Sequence, residues 1–524
     1  MLETLRFLFV GRFSGSPKGD RITVSGERMA DVMARLELHA VVEVADRLGS
    51  APSRRYDLKL SSARALRVAD VWAEHEPLRS LAEVATSLVR PQAAIRLTEA
   101  IDRVRTLVGE GALVQALIAL EPPPTAASVG SPAVVPPAPS STSGGGSAID
   151  AIFAQAELPQ PDTVAAARSS IDAFVGAMRK PTPGGVVKPT GASQRASALI
   201  LDAIEATAAD ALGHQPAAAI ETSWRGLKFV LGESPGHAKL AIELLDTDTD
   251  HRIDALRRTL ERAPVDAVFV TDAPDDLAVH AELAALGAAM HTPIIVALDA
   301  ELLDAGNAPL SAWVELRGNP VTQWLCAAAN EIVLACETTR VGPRVVFGPA
   351  VFAIAAMLGA SLRRDGTFGD AFGRAGAVVG PASWTPQLGR GSGRNLPVRA
   401  SMAVDAMRTM VDSGITVLGA EPGGERVLAV GAPMVAKLDG PGLAGRILVG
   451  RAARAARAAK DGLAHGDGPA ELDAALLRAA AHVLPDGPPG TCTLRGRAEG
   501  SDLTVVADFR ADAVGRAFSA TCRV

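Results

Sequence analysis

Residues 240–298 read LAIELLDTDTDHRIDALRRTLERAPVDAVFVTDAPDDLAVHAELAALGAAMHTPIIVAL. Three short apolar runs, Leu240–Leu245, Ala267–Thr271 and Pro293–Leu298, alternate with two longer segments, Arg252–Arg262 and Leu277–Met290. Strand–helix–strand–helix–strand alternation of this kind places strands in parallel and covers them with helices. It predicts an α/β fold built on a mixed, partly parallel sheet.

Upstream, Ala196–Leu212 reads as an amphipathic helix, as does Ala148–Met178. Downstream come a hairpin (Ile415–Leu418 with Arg426–Val430), two helices (Gly445–Gly462 and Glu471–Val483) and two strands, Cys492–Ala498 and Leu503–Phe509, around the turn Glu499–Asp502. Near the start, LRFLFV at Leu5–Val10 is a short apolar run closed by a Gly/Ser/Pro/Lys loop, hence a buried strand and a turn. Val24 opens a strand-to-helix unit, with Ser25–Leu36 helical and Ala40–Val44 extended. Arg55–Leu60 alternates as a strand, and Val68–Leu120 carries helical spacing.

Between these halves lies EPPPTAASVGSPAVVPPAPSSTSGGGS, residues 121–147. So little apolar surface cannot offset the entropy of ordering, and the segment is expected to be a flexible linker. A shorter break follows at Lys180–Gly191. Four parts result: 1–120, the linker 121–147, helices in 148–195, and an α/β core in 196–524.

The bulk properties agree with a large globular chain. At 524 residues it exceeds one ordinary core. Hydrophobic residues make up 48% and charged residues 21%. Aromatics are scarce, with 13 Phe, 5 Trp and one Tyr, so Ala, Val, Leu and Ile must fill the interior. A formal charge of −6 lacks the basic footprint of a nucleic-acid binder. The N-terminus has no signal-peptide pattern, and no apolar run is long enough to span a bilayer. The best candidate, Val345–Ala360, holds Pro349 and two glycines and is read as a buried helix. Cys326, Cys336, Cys492 and Cys522 sit among apolar residues without C-x-x-C pairing, and are expected as buried thiols in a cytoplasmic protein.

Chemical motifs are weak. Gly440-Pro441-Gly442-Leu443-Ala444-Gly445 fits G-x-G-x-x-G and precedes a helix, but no βαβ unit follows and Pro441 stiffens the loop. The turn Gly11–Lys18 follows a strand like a phosphate loop, yet the chain contains no Gly-Lys dipeptide. None of the nine histidines has the spacing of a metal pair. Asp246, Asp248, Asp250 and Asp254 around His251 lack the glycine and distal glutamate of a calcium loop; a solvated loop with an N-cap at Asp250 is expected. There is no G-x-S-x-G elbow. Arg446, Arg451, Arg454, Arg457 and Lys460 recur mostly every third residue, and a solvated face is expected, the alternative being one turned to a polyanion or an acidic partner. No catalytic residue, cofactor site or metal site is assigned.

Both halves of the chain resemble one family. LRFLFVGRFSG and RYDLKLSSARAL resemble the small subunit (VipA or TssB) of the type VI secretion contractile sheath. SAIDAIFAQAEL, SSIDAFVGAMRKP and LILDAIEATAADALGHQPAAAIETSWRGLKFVLGE resemble its large subunit (VipB or TssC), most recognisably at Ser223-Trp224-Arg225-Gly226-Leu227. VDAVFVTDAPDDL, MHTPIIVALDAELL, RVVFGPAVFAIAAMLGASLRRDG, SGITVLGAEPGGERVLAVGA, RILVGRAARAARAAKDGL and LTVVADFRADAVGRAFSATCRV continue the family order. Arg12 stands where the family usually has an acid, and only Met1–Thr4 precede the first strand, where small subunits carry a further one.

The resemblance implies a two-part chain with a contractile-sheath (phage tail-sheath-like) fold, and no enzyme. It would assemble with itself around an inner tube protein, meet baseplate proteins, and bind neither nucleic acid nor membrane. Protomers in the family are joined by strand addition, for which the candidates are Leu503, Val505, Ala507, Phe509, Thr493 and Arg495. The segment at Ser147–Leu158 matches the handle taken by a AAA+ recycling unfoldase; the alternative is ordinary packing of Ile149, Ile152 and Phe153 on the core. A non-polymerising sheath-like cap or adaptor is the alternative. A nucleotide-binding α/β enzyme is a further one, resting only on the Gly440 turn.

Overall fold

A computed structural model describes residues 4–121 and 189–524, apart from 26–27, 61, 92–93, 238, 275, 299–306, 387–392, 422–423, 438–439, 464–467 and 500–501. The linker, the helices expected in Ala148–Met178 and the Ile149/Ile152/Phe153 handle lie outside the described residues. No described helix is long and apolar enough to cross a membrane.

Sixteen strands organise the described chain. Before the linker come β1 (Leu5–Gly11), β2 (Arg21–Val24), β3 (His39–Ala45) and β4 (Ser53–Lys59). After it come β5 (Leu240–Asp246), β6 (Ala267–Val270), β7 (Ile294–Ala297) and β8 (Leu325–Ala329). Next are β9 (Ile332–Thr339), β10 (Gly342–Gly348), β11 (Val378–Val379), β12 (Ile415–Ala420) and β13 (Arg426–Ala429). The last three are β14 (Cys492–Glu499), β15 (Asp502–Phe509) and β16 (Phe518–Arg523).

Nine of these form one sheet, in the order β11-β13-β12-β8-β7-β6-β1-β5-β2. Its six central strands, β12 through β5, run parallel, and antiparallel strands close both edges. The expected α/β class with a mixed sheet is therefore what the chain adopts. Strands buried on both faces read as unbroken apolar runs, and every residue of β5, β6, β7 and β8 is buried. The crossover from β5 through the helix Arg252–Arg262 to β6 leaves a slot one strand wide. β1, from before the linker, fills it: Phe7 to Val10 pair with Ile242 to Leu245 on one side and with Ala267 to Val270 on the other.

Several local expectations change. Val24 ends β2 rather than opening a strand, and the helix after it spans only Met29–Arg35. Val345–Ala360 is not one helix: Val345–Gly348 finish β10, and Pro349, which has no N–H to give a preceding turn, caps the helix Ala350–Asp365. The cap before Arg252–Arg262 is His251, not Asp250. Cys326, Cys492 and Cys522 are buried as expected, whereas Cys336, on β9, is exposed.

Compact units do not follow the linker. One comprises Met1–Arg47, Ala51–Arg79 and Asp202–Val524; the other comprises Leu48–Ser50 and Ser80–Leu201. The second holds the helices Leu97–Val108 and Ala112–Ile118, whose Ala100, Ile101, Val104, Leu113, Val114 and Leu117 are buried at helical spacing. The sites below all belong to the first.

Candidate functional site

The turn after β1 is anchored from beneath. Asp246, the last residue of β5, accepts hydrogen bonds from the amides of Phe13 (2.8 Å) and Ser14 (3.1 Å) and from the Ser14 hydroxyl. A carboxylate thus occupies the place a phosphate would take, and satisfies the amides such a ligand would need. Burial raises the Asp246 pKa even though these bonds pull it down. Gly11 and Gly15 are steric requirements here: a Cβ would stand 1.9 Å from Thr271 Oγ1 and 2.0 Å from the His39 carbonyl oxygen, respectively.

The Ser223–Leu227 motif lies in the helix Ala217–Glu233 and faces this turn. Trp224 is fully buried, donates its indole N–H to the Phe13 carbonyl at 2.8 Å, and meets the Phe13 ring edge-on. Gly226 admits the Phe352 ring, which a Cβ would approach to 2.5 Å; Phe352 in turn stacks on Phe9 of β1. Arg225 bonds Glu221 at 2.8 Å, Glu337 at 2.5 Å and the Leu66 carbonyl at 2.7 Å. Arg344 holds Glu221 through both carboxylate oxygens, and Glu337 also accepts from the Val68 amide at 3.2 Å. Two guanidinium groups and two carboxylates thereby neutralise one another in a largely dry setting, where an unpaired member would be costly. Chemically the arrangement is a clamp, tying Phe13, Leu66 and Val68 from before the linker to Trp224, Arg225 and Glu337 from after it.

The arginine helix is a correction. A solvated face was expected along Arg446–Lys460, yet in the helix Leu443–Asp461 Arg446 and Arg451 are buried. Arg451 bonds Asp266 at 2.9 Å together with the Thr4 and His482 carbonyls. Arg454 reaches the other Asp266 oxygen at 2.5 Å and the His291 carbonyl at 2.8 Å. Asp266 also accepts from the Arg6 amide, so one carboxylate joins β1, β6 and the helix.

The strand-addition candidates fall in a separate sheet of order β14-β15-β16. β15, which carries Leu503, Val505, Ala507 and Phe509, is its centre, so both its ladders are filled and it has no edge to offer. Mutual hydrogen bonds between Leu503 and Val524 fix the alternation. With the registers of both pairs, they turn the backbone groups of Thr493 and Arg495 inward to β15. Outward-facing backbone belongs to Leu494 and Gly496 on β14 and to Ser519, Thr521 and Arg523 on β16. Sequence reading missed β16, although FSATCR alternates with a period of two.

Among the described residues no group of three or more His, Cys, Asp and Glu could hold a metal ion. In the acidic segment, Asp248 accepts from the His251 amide and ring, while Arg252 pairs with Asp272. Burial pushes the Cys326 and Cys492 thiols up to about 12.

No family model matches the chain, and no curated protein matches it. Among solved structures it is similar to a chain of the anti-feeding prophage baseplate, with 13% identity over 57% of this chain and 76% of that one, and a TM-score of 0.35. It is similar to the anti-feeding prophage helical sheath in the contracted state, with 13% identity over 57% and 77% and a TM-score of 0.34. The sheath tail protein from Desulfitobacterium hafniense aligns at 13% identity over 53% of this chain and 60% of that chain, with a TM-score of 0.32.

Proposed function

We propose that the chain is a structural protomer of a type VI secretion contractile sheath, with its small-subunit-like and large-subunit-like parts joined in one polypeptide. The observation that carries this reading is β1. A chain made of two fused subunits should fold the first into the second, and β1 pairs along its length with β5 and with β6 across the linker. The family-like motifs act at that junction, since Gly11, Gly15, Trp224 and Arg225 are the residues that make it close. The order of motifs along the whole sequence supports the same assignment.

In this reading protomers stack around an inner tube on a baseplate, contraction expels the tube, and the exposed edges of β14 and β16 add strands from neighbouring copies. The Ser147–Leu158 segment serves as the handle for a recycling unfoldase. Negative-stain electron microscopy of the purified chain, alone and with the products of neighbouring genes, tests the proposal. Long hollow tubes are expected. Small uniform particles under every condition would replace the sheath by a cap or adaptor, and a tightly bound nucleotide would replace both by an enzyme.

A further inference from the structure

The Gly440–Gly445 turn, unused by the sheath reading, leads into the N-terminus of the 19-residue helix Leu443–Asp461. Gly442 is the N-cap, no side chain caps it, and the first turn holds no acidic residue. The Leu443 amide bonds the Ala432 carbonyl and the Arg446 amide bonds that of Gly442. Between them stand the amides of Ala444 and Gly445, in the turn whose N–H groups have no acceptor within a helix. A Cβ at Gly442 would lie 2.7 Å from the Ala432 oxygen, and one at Gly445 2.5 Å from the Pro441 side chain. Neither position has room for a side chain, and the turn and the first residues of the helix line one cleft.

Arg446 supplies an independent observation. It is 8% exposed, its guanidinium lies over the Trp324 ring at 5.0 Å, and its Nε has no hydrogen-bond partner. Its Nη2 would be 3.4 Å from a Cβ on Gly440, which places the fork at the turn. Buried charges are ordinarily paired, yet no carboxylate stands among the groups that shift this guanidinium. Burial lowers its pKa, and the one group acting in the opposite direction is Cys522, which burial itself keeps as a thiol. Arg317, Lys437 and Arg516 line the same cleft, with Asp412 as its single acid among the described residues. Arg516 steadies the turn by donating to the Gly440 carbonyl at 2.6 Å.

We propose that this turn is an oxyanion site, holding a phosphate or carboxylate group between the first-turn amides of the helix and the Arg446 fork, with Lys437 and Arg516 at the rim. Two sources share that chemistry: a free phosphate, or a carboxylate presented by a neighbouring copy of the chain. The proposal stands whether or not the chain forms a sheath.

The test titrates inorganic phosphate into the purified full chain, with potassium chloride holding ionic strength constant, while melting temperature and sedimentation are followed. A saturable rise in melting temperature is expected. Arg446→Lys keeps the charge but not the fork, and should weaken the apparent affinity about tenfold, the cost of one lost charge-assisted bond. Arg446→Met should abolish the effect. Phosphate that stabilises without changing oligomer size identifies a free ligand; phosphate that also disperses assemblies identifies a carboxylate from a second copy. No saturable effect beyond chloride on the wild-type chain overturns the proposal, as does an unchanged affinity in Arg446→Lys. Both of those outcomes are readable even if Arg446→Met fails to fold.

Discussion

Asp266 is 3% exposed and answers two guanidinium groups, Arg451 and Arg454, each more than 180 residues away in sequence. Asp266→Asn leaves both cations buried without their carboxylate, and should lower unfolding free energy by about 3–5 kcal/mol; urea titration reads this as a shifted midpoint at unchanged slope. His280, fully buried, bonds the Asp276 carbonyl through Nδ1, and burial lowers its pKa below 6.5. The folded histidine therefore binds a proton less tightly than the unfolded one. Stability it contributes is complete above 6.5 and drains as pH falls through that value toward the folded pKa. His280→Leu should flatten the decline of melting temperature on acidification below that point; an unchanged slope would show that His280 does not control it. At this scale the sequence was a partial guide. Trp224, Arg225, Phe13 and Leu66 all lie in recognisable stretches, but that they meet, and that Glu337 joins them, is fixed by topology alone. The arginine spacing misled because periodicity reports a face, not what that face meets.

At the scale of elements, short apolar runs and helical spacing located most strands and helices correctly, because each has a local cause. Pairing is not local. Leu503–Phe509 is visibly a strand, but that it is a central one depends on β16, a mixed polar stretch. This decides two substitutions. Thr521→Pro removes only an outward N–H from the exposed edge of β16. It should leave circular dichroism and melting near wild type while abolishing assembly in electron micrographs; intact filaments would sink strand addition at that edge. Val505→Pro removes a ladder bond inside the sheet from a residue 1% exposed, and should unfold the three-stranded unit.

For the whole molecule, the composition of residues 121–147 marked a boundary, whereas the fold crosses it. The β1 slot explains the difference, since covalent continuity and packing obey separate rules. A protease site placed near residue 130 tests this directly. After cleavage both pieces should remain together at native mass through size-exclusion chromatography, and should separate only in denaturant. Immediate separation would contradict the central placement of β1.

That placement also sets a schedule for biosynthesis. β1 leaves the ribosome well before its neighbours, which begin at Leu240 and Ala267, so the slot does not exist until more than two hundred further residues have been made. At ordinary translation speeds this is a wait of roughly 10–50 s. During that interval LRFLFV is an adhesive apolar segment with no partner of its own. Joining the parts in one chain makes that wait tolerable, because the waiting strand stays leashed to the sheet being synthesised behind it and need not search the cell for it.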